Sequence, residues 1–303
     1  MAIDIRRREL LATFGGAAAW PLAARAEPRE QKRRVAVLMG GLFSNDPSGQ
    51  AEAAAFEAGL AELGWKLGSN IELEYRWPGA ELDQVSIAVN EIAAMRPDLV
   101  VTRSTPTTAI MMNRGVSLFE SSVGGKWLAL LKEAAPAISR VSLLFNPETA
   151  PFAENYRRSA EAAAPSLGIT VVSAPCGNAA HIESAFAVRA SEGSGGIIGI
   201  PDTFINAQGD LIIELAARHH LPAVYGIRDF VPRGGLLAYS ADFAAIFHRA
   251  AGYVDQTLRG VRPGELPVQA PDKFTLSVNL KTAGMIGLTL PQNLIARADE
   301  VIE

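Results

Sequence analysis

From Arg34 onward, short apolar runs alternate with longer segments whose apolar positions recur at helical spacing. RVAVLMG (34–40) is continuous and of strand length. Gln50–Leu63 follows, with Ala53, Phe56, Leu60 and Leu63 on one helical face, and Gly64 is its expected stop. The same reading predicts strands at Ile71–Tyr75, Asp98–Thr102, Val141–Phe145, Thr170–Ser173, Gly196–Ile200 and Ala223–Tyr225. Between them it places helices at Leu82–Met95, Gly125–Ala134, Glu154–Ser166, Ile182–Ala190 and Asn206–His219.

Strands alternating with helices in this way imply βαβ crossovers and parallel sheets. There are more strands than one nucleotide-binding unit needs, so the pattern predicts an α/β protein of two Rossmann-like lobes. The rhythm breaks at GIRDFVPRGGLLAYS (226–240), resumes as a helix over Phe243–Leu258, and breaks again at GVRPGELPVQAPDKF (260–274). The second break carries Pro263, Pro267 and Pro271 and suits an extended connector. TLSVNL then reads as a strand and KTAGMIG as a short helix. The two breaks are where the chain is expected to cross between lobes. The first lobe then comprises 33–115 plus about 238–264, and the second 116–237 plus about 265–303.

Composition narrows this picture at a few points. With 303 residues, 49% of them apolar, the chain can bury a large core. Its charge of −4 shows no basic face, which argues against a nucleic-acid partner. Cys176 is the single cysteine, so no internal disulfide forms; no zinc spacing is present, and the thiol reads as a small buried side chain. At the N-terminus Arg6, Arg7 and Arg8 precede a weakly apolar run from Ala12 to Leu22 and then Ala24-Arg25-Ala26. That is the order of a secretory signal peptide, residues 1–26, with cleavage before Glu27; the arginine pairs suit the twin-arginine route. An uncleaved anchor is the competing reading, disfavoured by Gly15 and Gly16.

Open α/β sheets bind ligands beyond the carboxyl ends of their strands. After the first strand, Gly40, Gly41 and Ser44 allow close approach to the backbone; the alternative is an ordinary turn with Asp46 or Ser48 capping the next helix. The glycines do not fall at dinucleotide-fingerprint spacing. After the third strand, RSTPTTA places Ser104 and Thr105 at the start of a helix, where one hydroxyl caps and the rest, with the free amides, suit a carboxylate. Later strand ends add Asn146, Asp202, Tyr225 and Tyr239. Asp202 either holds an ammonium group or caps the following helix. Tyr225 and Tyr239 either sandwich an apolar or aromatic group or pack as half-buried side chains. His219 and His220 lie at a helix end with no aligned nucleophile. Spacing reveals no Ser/His/Asp, Cys/His or paired-carboxylate arrangement, so a binding pocket is expected, with no catalysis, cofactor or metal.

The segments RRRELLATFGGAAAWPLAARA, GLAELGWKLGSNIELEYRW, RPDLVVTRSTPTTA, LAARHHLPAVYGIRDFVPRGGLLAYS and LPVQAPDKFTLSVNLKTAGMIGLTLPQNLIARADEVIE together resemble the tryptophan/tyrosine-type ABC transporter substrate-binding proteins. The resemblance implies a type I periplasmic-binding fold, in which two α/β lobes joined by three crossings close on a small ligand. That ligand, an amino acid or related molecule, would be passed to an ABC permease in the inner membrane. Carried over by position, it implies a cleft formed by Gly41, Ser44, Ser104, Thr105, Asn146, Asp202, Tyr225 and Tyr239. The chain departs from the family after Asn113. There the family continues with a strand and an Asp-Pro ligand loop, whereas here Arg114-Gly115-Val116-Ser117 follows at once. An internal deletion at 113/114 is therefore expected, with a shortened first lobe. Two other readings compete with the solute receptor: an enzyme on a two-lobed Rossmann-like scaffold, and a truncated, non-functional paralogue.

Overall fold

The computed structural model of the protein describes residues 32–103, 122–262, 265–267 and 271–303. The proposed signal peptide, Ser104, Thr105 and the 113/114 junction all lie outside the described residues. Lys32–Glu303 forms one compact unit.

The described residues of the unit form two sheets. In the smaller, β1 (Arg33–Gly40) lies between β2 (Ile71–Gly79) and β3 (Leu99–Thr102), all parallel. The central position explains why RVAVLMG is an unbroken apolar run: Val35 through Met39 are fully buried, facing covered sides above and below. Helix α1 (Pro47–Glu62) starts at Asp46, whose carboxylate accepts from Ser48 N, with Pro47 in its first turn. It ends as expected at Gly64, whose φ is +90°. Gly64 N donates to Ala61 O and Trp65 N to Leu60 O, both at 3.0 Å, which closes the helix end. Helix α2 (Leu82–Met95) covers the other face.

The larger sheet has seven strands in the order β10-β9-β8-β7-β6-β4-β5: β4 (Arg140–Phe145), β5 (Thr170–Pro175), β6 (Gly195–Gly199), β7 (Ala223–Tyr225), β8 (Leu237–Ala241), β9 (Phe274–Asn279) and β10 (Glu300–Ile302). Among the described residues only the β8–β9 pair is antiparallel. Helices α3 (Val123–Ala134) and α4 (Ala153–Leu167) cover one face around Trp127, Leu131 and Tyr156. On the other face α5 (Ala179–Ser191), α6 (Thr203–Ala207) and α7 (Gly209–Arg218) enclose Phe186, Ile212 and Phe230.

After β8 the chain leaves this sheet and contributes α8 (Phe243–Leu258) to the smaller lobe, where Phe247, Ala251 and Val254 pack with Phe56 and Leu60 of α1. The helices touch at Gly59, where a Cβ would lie 2.6 Å from His248 O. The chain then returns for β9, helices α9 (Leu280–Met285) and α10 (Gln292–Ala296), and β10.

Two expectations need correction. Residues 238–241, placed by sequence in the first lobe, belong to β8 of the larger sheet; the crossing follows Ala241 because β8 pairs with both β7 and β9. The helix expected over Asn206–His219 is two helices separated at Gln208: Asp202 starts the first a turn earlier, and Gly209, a poor helix former, opens the second. No helix among the described residues is long and apolar enough to cross a membrane.

Candidate functional site

The segment after β1 meets the segments after β6 and β7, through Gly41 with Thr203 and Asn206 and through Ser48 with Asp229. On the first lobe Gly41 holds the turn after β1 with φ +80°, a conformation that disfavours any side chain. Its N–H donates to Gly79 O at 2.7 Å. Its carbonyl accepts from Asn206 Nδ2 of the second lobe at 3.4 Å. A Cβ on Gly41 would lie 2.8 Å from Thr203 Cγ2, so the glycine admits the opposite lobe. Ser44 is exposed, and its carbonyl accepts from Gln50 Nε2 at 2.6 Å. Of the two capping candidates, Asp46 caps.

Arg103, at the end of β3, is a residue that sequence reasoning passed over. Its Nε and Nη2 donate to Glu52 Oε2 and Oε1 at 2.6 and 3.1 Å, and Nη1 donates to Gly40 O at 3.2 Å. Its guanidinium lies over the Phe243 ring, 5.2 Å from the centroid. Glu52 is only 2% exposed. Burial pushes its carboxyl up, Arg103 draws it back, and Asp229 and Asp46 add to the rise. A lone basic residue directly after an apolar strand was the available signal for this pair. A second inter-lobe contact joins Ser48 to Asp229, which sits on the single turn Arg228–Phe230 after β7.

On the second lobe, Asn146 and Asp202 come together. Asn146 N donates to Asp202 Oδ2 at 2.7 Å, while Thr149 Oγ1 and Phe204 N donate to Oδ1. Asn146 Oδ1 accepts from Glu148 N at 2.8 Å. Asp202 is therefore the cap of α6 and ties that cap to the β4 loop. Burial pushes its carboxyl up, against the pull of these donors. Two more side chains on α6, one turn apart, face this region: Thr203 Oγ1 and Asn206 Oδ1 are buried and have no hydrogen-bond partner among the described residues.

The tyrosines do not form a sandwich. Tyr225 pairs in register with Ala238, so the next residue, Tyr239, points to the opposite face of the sheet. Tyr225 is buried and stacks on Phe230 at 4.3 Å, its hydroxyl without a partner among the described residues. Tyr239 stacks on Phe274 at 5.4 Å and its carbonyl accepts from Trp127 Nε1 at 2.7 Å. His220 takes the left-handed position after α7, φ +52°. Cys176 is fully buried, and burial, with Asp202 nearby, pushes its thiol up to about 11.

The model of the family "ABC transporter substrate binding protein" matches residues 114–302, beginning on the far side of the 113/114 junction. Among curated protein sequences none matches significantly. Several solved structures share the fold. A conserved domain protein from Vibrio cholerae is 23% identical with a TM-score of 0.76, over 89% of this chain and 100% of its own. An ABC domain from Streptococcus pneumoniae in complex with L-Trp is 20% identical with a TM-score of 0.75, over 90% and 100%. An ABC transporter solute-binding protein from Agrobacterium vitis with bound allitol is 11% identical with a TM-score of 0.59, over 82% and 96%.

Proposed function

The chain belongs to the ABC transporter substrate-binding protein family, and from that membership we propose that it is an exported receptor that binds a small solute between its lobes. It hands the solute to an ABC permease in the inner membrane and catalyses no reaction. Residues 1–26 serve as its signal peptide, and the mature protein works in the periplasm.

The observation that carries this reading is the approach of the two sets of strand ends through Gly41, Thr203 and Asn206. A cleft between parallel sheets is where such folds take ligands. Gly41, Ser44, Thr203 and Asn206 are proposed to meet the solute, with Ser104 and Thr105 directly after Arg103. Asn146 and Asp202 set the position of the second wall, and Tyr225 and Tyr239 support it from its two faces. Asn206 Nδ2 is committed to Gly41 O, so its Oδ1 faces the solute as an acceptor. Solutes rich in N–H or O–H donors, amino acids first and polyols second, satisfy it.

The test is a thermal-shift panel of amino acids, polyols and carboxylates without donors. A donor-bearing solute is expected to raise the melting temperature, and Asn206→Leu to weaken its binding by about tenfold, the loss of one hydrogen bond. A second reading, a receptor whose cleft no longer holds solute, is favoured by the small first sheet, which among the described residues has three strands against seven in the second. A cooperatively melting protein that responds to no solute class would select it.

A further inference from the structure

Arg103 has hydrogens left over. A guanidinium carries five N–H groups in one fixed plane. Nε and one hydrogen of Nη2 go to Glu52, and one hydrogen of Nη1 goes to Gly40 O. One N–H on Nη1 and one on Nη2 therefore have no partner among the described residues. Paired N–H groups of this kind are what a carboxylate accepts from arginine. The group is also held still. Glu52, 2% exposed, fixes one edge of the plane, and the Phe243 ring lies under its face. The Arg103 side chain itself keeps 16% of its surface, so a solute can reach it and little freedom is left to lose on binding.

Gly41 is the common neighbour of Arg103 and of the second lobe. A Cβ there would lie 3.7 Å from Arg103 Nη1 and 2.8 Å from Thr203 Cγ2. The carbonyl of the same glycine accepts from Asn206 Nδ2. Thr203 Oγ1 and Asn206 Oδ1 are both buried without a partner among the described residues. The first can donate and the second only accepts. Donors suited to an anion and an acceptor suited to N–H groups thus converge on one turn. The nearby charges narrow the choice. Asp229 and Asp46 act on Glu52 through their charge, so a solute with negative charge alone meets three acids beside Arg103. A solute that carries its own cation next to its anion suits both signs, and a polyol carries neither.

We propose that Arg103 is the specificity-determining residue of the cleft: its spare N–H groups take the carboxylate of a zwitterionic amino acid whose ammonium group turns to Asn206 Oδ1. Glu52 and Phe243 act as positioning residues that keep the guanidinium in place. The inference rests on the solute-receptor reading above and narrows it, from donor-bearing solutes in general to those with a carboxylate beside an ammonium.

Isothermal titration calorimetry on the purified protein tests it. The probes are the standard amino acids, the primary amide of each one that binds, and the polyols xylitol, sorbitol and mannitol. At least one amino acid is expected to bind, and its amide, which lacks the carboxylate, to bind about 10- to 100-fold more weakly. Glu52→Gln combined with Arg103→Gln replaces the ion pair by two neutral amides, so no buried charge is stranded. This double variant is expected to lose the preference for acid over amide, a ratio that a purely structural role leaves unchanged. Should it not melt cooperatively, Arg103→Lys, which keeps a cation beside Glu52 without the fork, is expected to lower the same ratio. A polyol or an amide that binds as tightly as the amino acid, or a preference kept in the folded variant, overturns the assignment while the solute receptor stands. Binding of none of the probes overturns the receptor reading and the assignment with it.

Discussion

The smaller and larger lobes repeat the same strand–helix unit with unequal protection. In the larger, β6 is buried at all five positions and helices cover both faces of the sheet. In the smaller, β3 is half-exposed at all four positions and, among the described residues, pairs only with β1. One face of the small sheet rests on a core of Ala36, Leu38, Ala88 and Ile92, while Leu82 and Ile87 of α2 are 41% and 51% exposed. Parallel sheets persist when both faces are covered. The small lobe covers one face with α2 and meets the need on the other only by borrowing α8 from the distant part of the chain to pack beside α1. Its stability therefore depends on contacts made elsewhere.

Hydrogen exchange should show the largest contrast. Amides of β3 are expected to exchange on the order of 100-fold faster than those of β6, because local opening draws on the least-packed elements. Equal protection of the two strands would remove the asymmetry. The next effect is at the buried ion pair of the small lobe. Arg103→Met strands Glu52 and is expected to cost about 3–5 kcal/mol near neutral pH by denaturant unfolding. Without the guanidinium, the Glu52 carboxyl moves still further above the ordinary value of 4.5. A carboxyl raised in the folded state contributes stability below its unfolded value and loses it as pH rises through its folded value. The deficit should therefore shrink in acid and grow upward from about pH 4.5; a pH-independent loss would mean that packing over Phe243 is the larger part of the effect. The smallest effect is at the meeting point of the lobes. Gly41→Ala forces an alanine into a left-handed turn at about 1–2 kcal/mol and pushes against Thr203, so closure should weaken more than the fold of either lobe. Scattering and melting on the same sample separate the two.

Much of this architecture was legible in the sequence wherever burial is set locally. Leu82–Met95, Ala223–Tyr225 and Phe243–Leu258 fall where the periodicity placed them. What periodicity does not carry is pairing between remote segments. Glu52 and Arg103 are 51 residues apart, and Ser48 and Asp229 are 181 apart. The opposite facing of Tyr225 and Tyr239 follows from the β7–β8 register, which neither strand encodes alone. Strand β10, three residues long, is too short to show a period. Asp202 was readable as a cap or an ammonium site, and the deciding facts, Asn146 N and Thr149 Oγ1, come from a different strand end.

The borrowing of α8 also sets an order of events during synthesis. Trp65, just beyond α1, donates its indole N–H to Asp255 in α8, 190 residues later, at 2.9 Å. At roughly 5–20 residues per second, β1 and α1 wait on the order of ten seconds or more for the helix that covers Phe56 and Leu60. The larger sheet is also incomplete until β9 and β10 at the end of the chain. Neither lobe can finish while the ribosome still holds the last quarter of the protein, so the nascent chain travels with its apolar surfaces uncovered. A stop codon before α8 would yield a product that aggregates, with no half-receptor recovered.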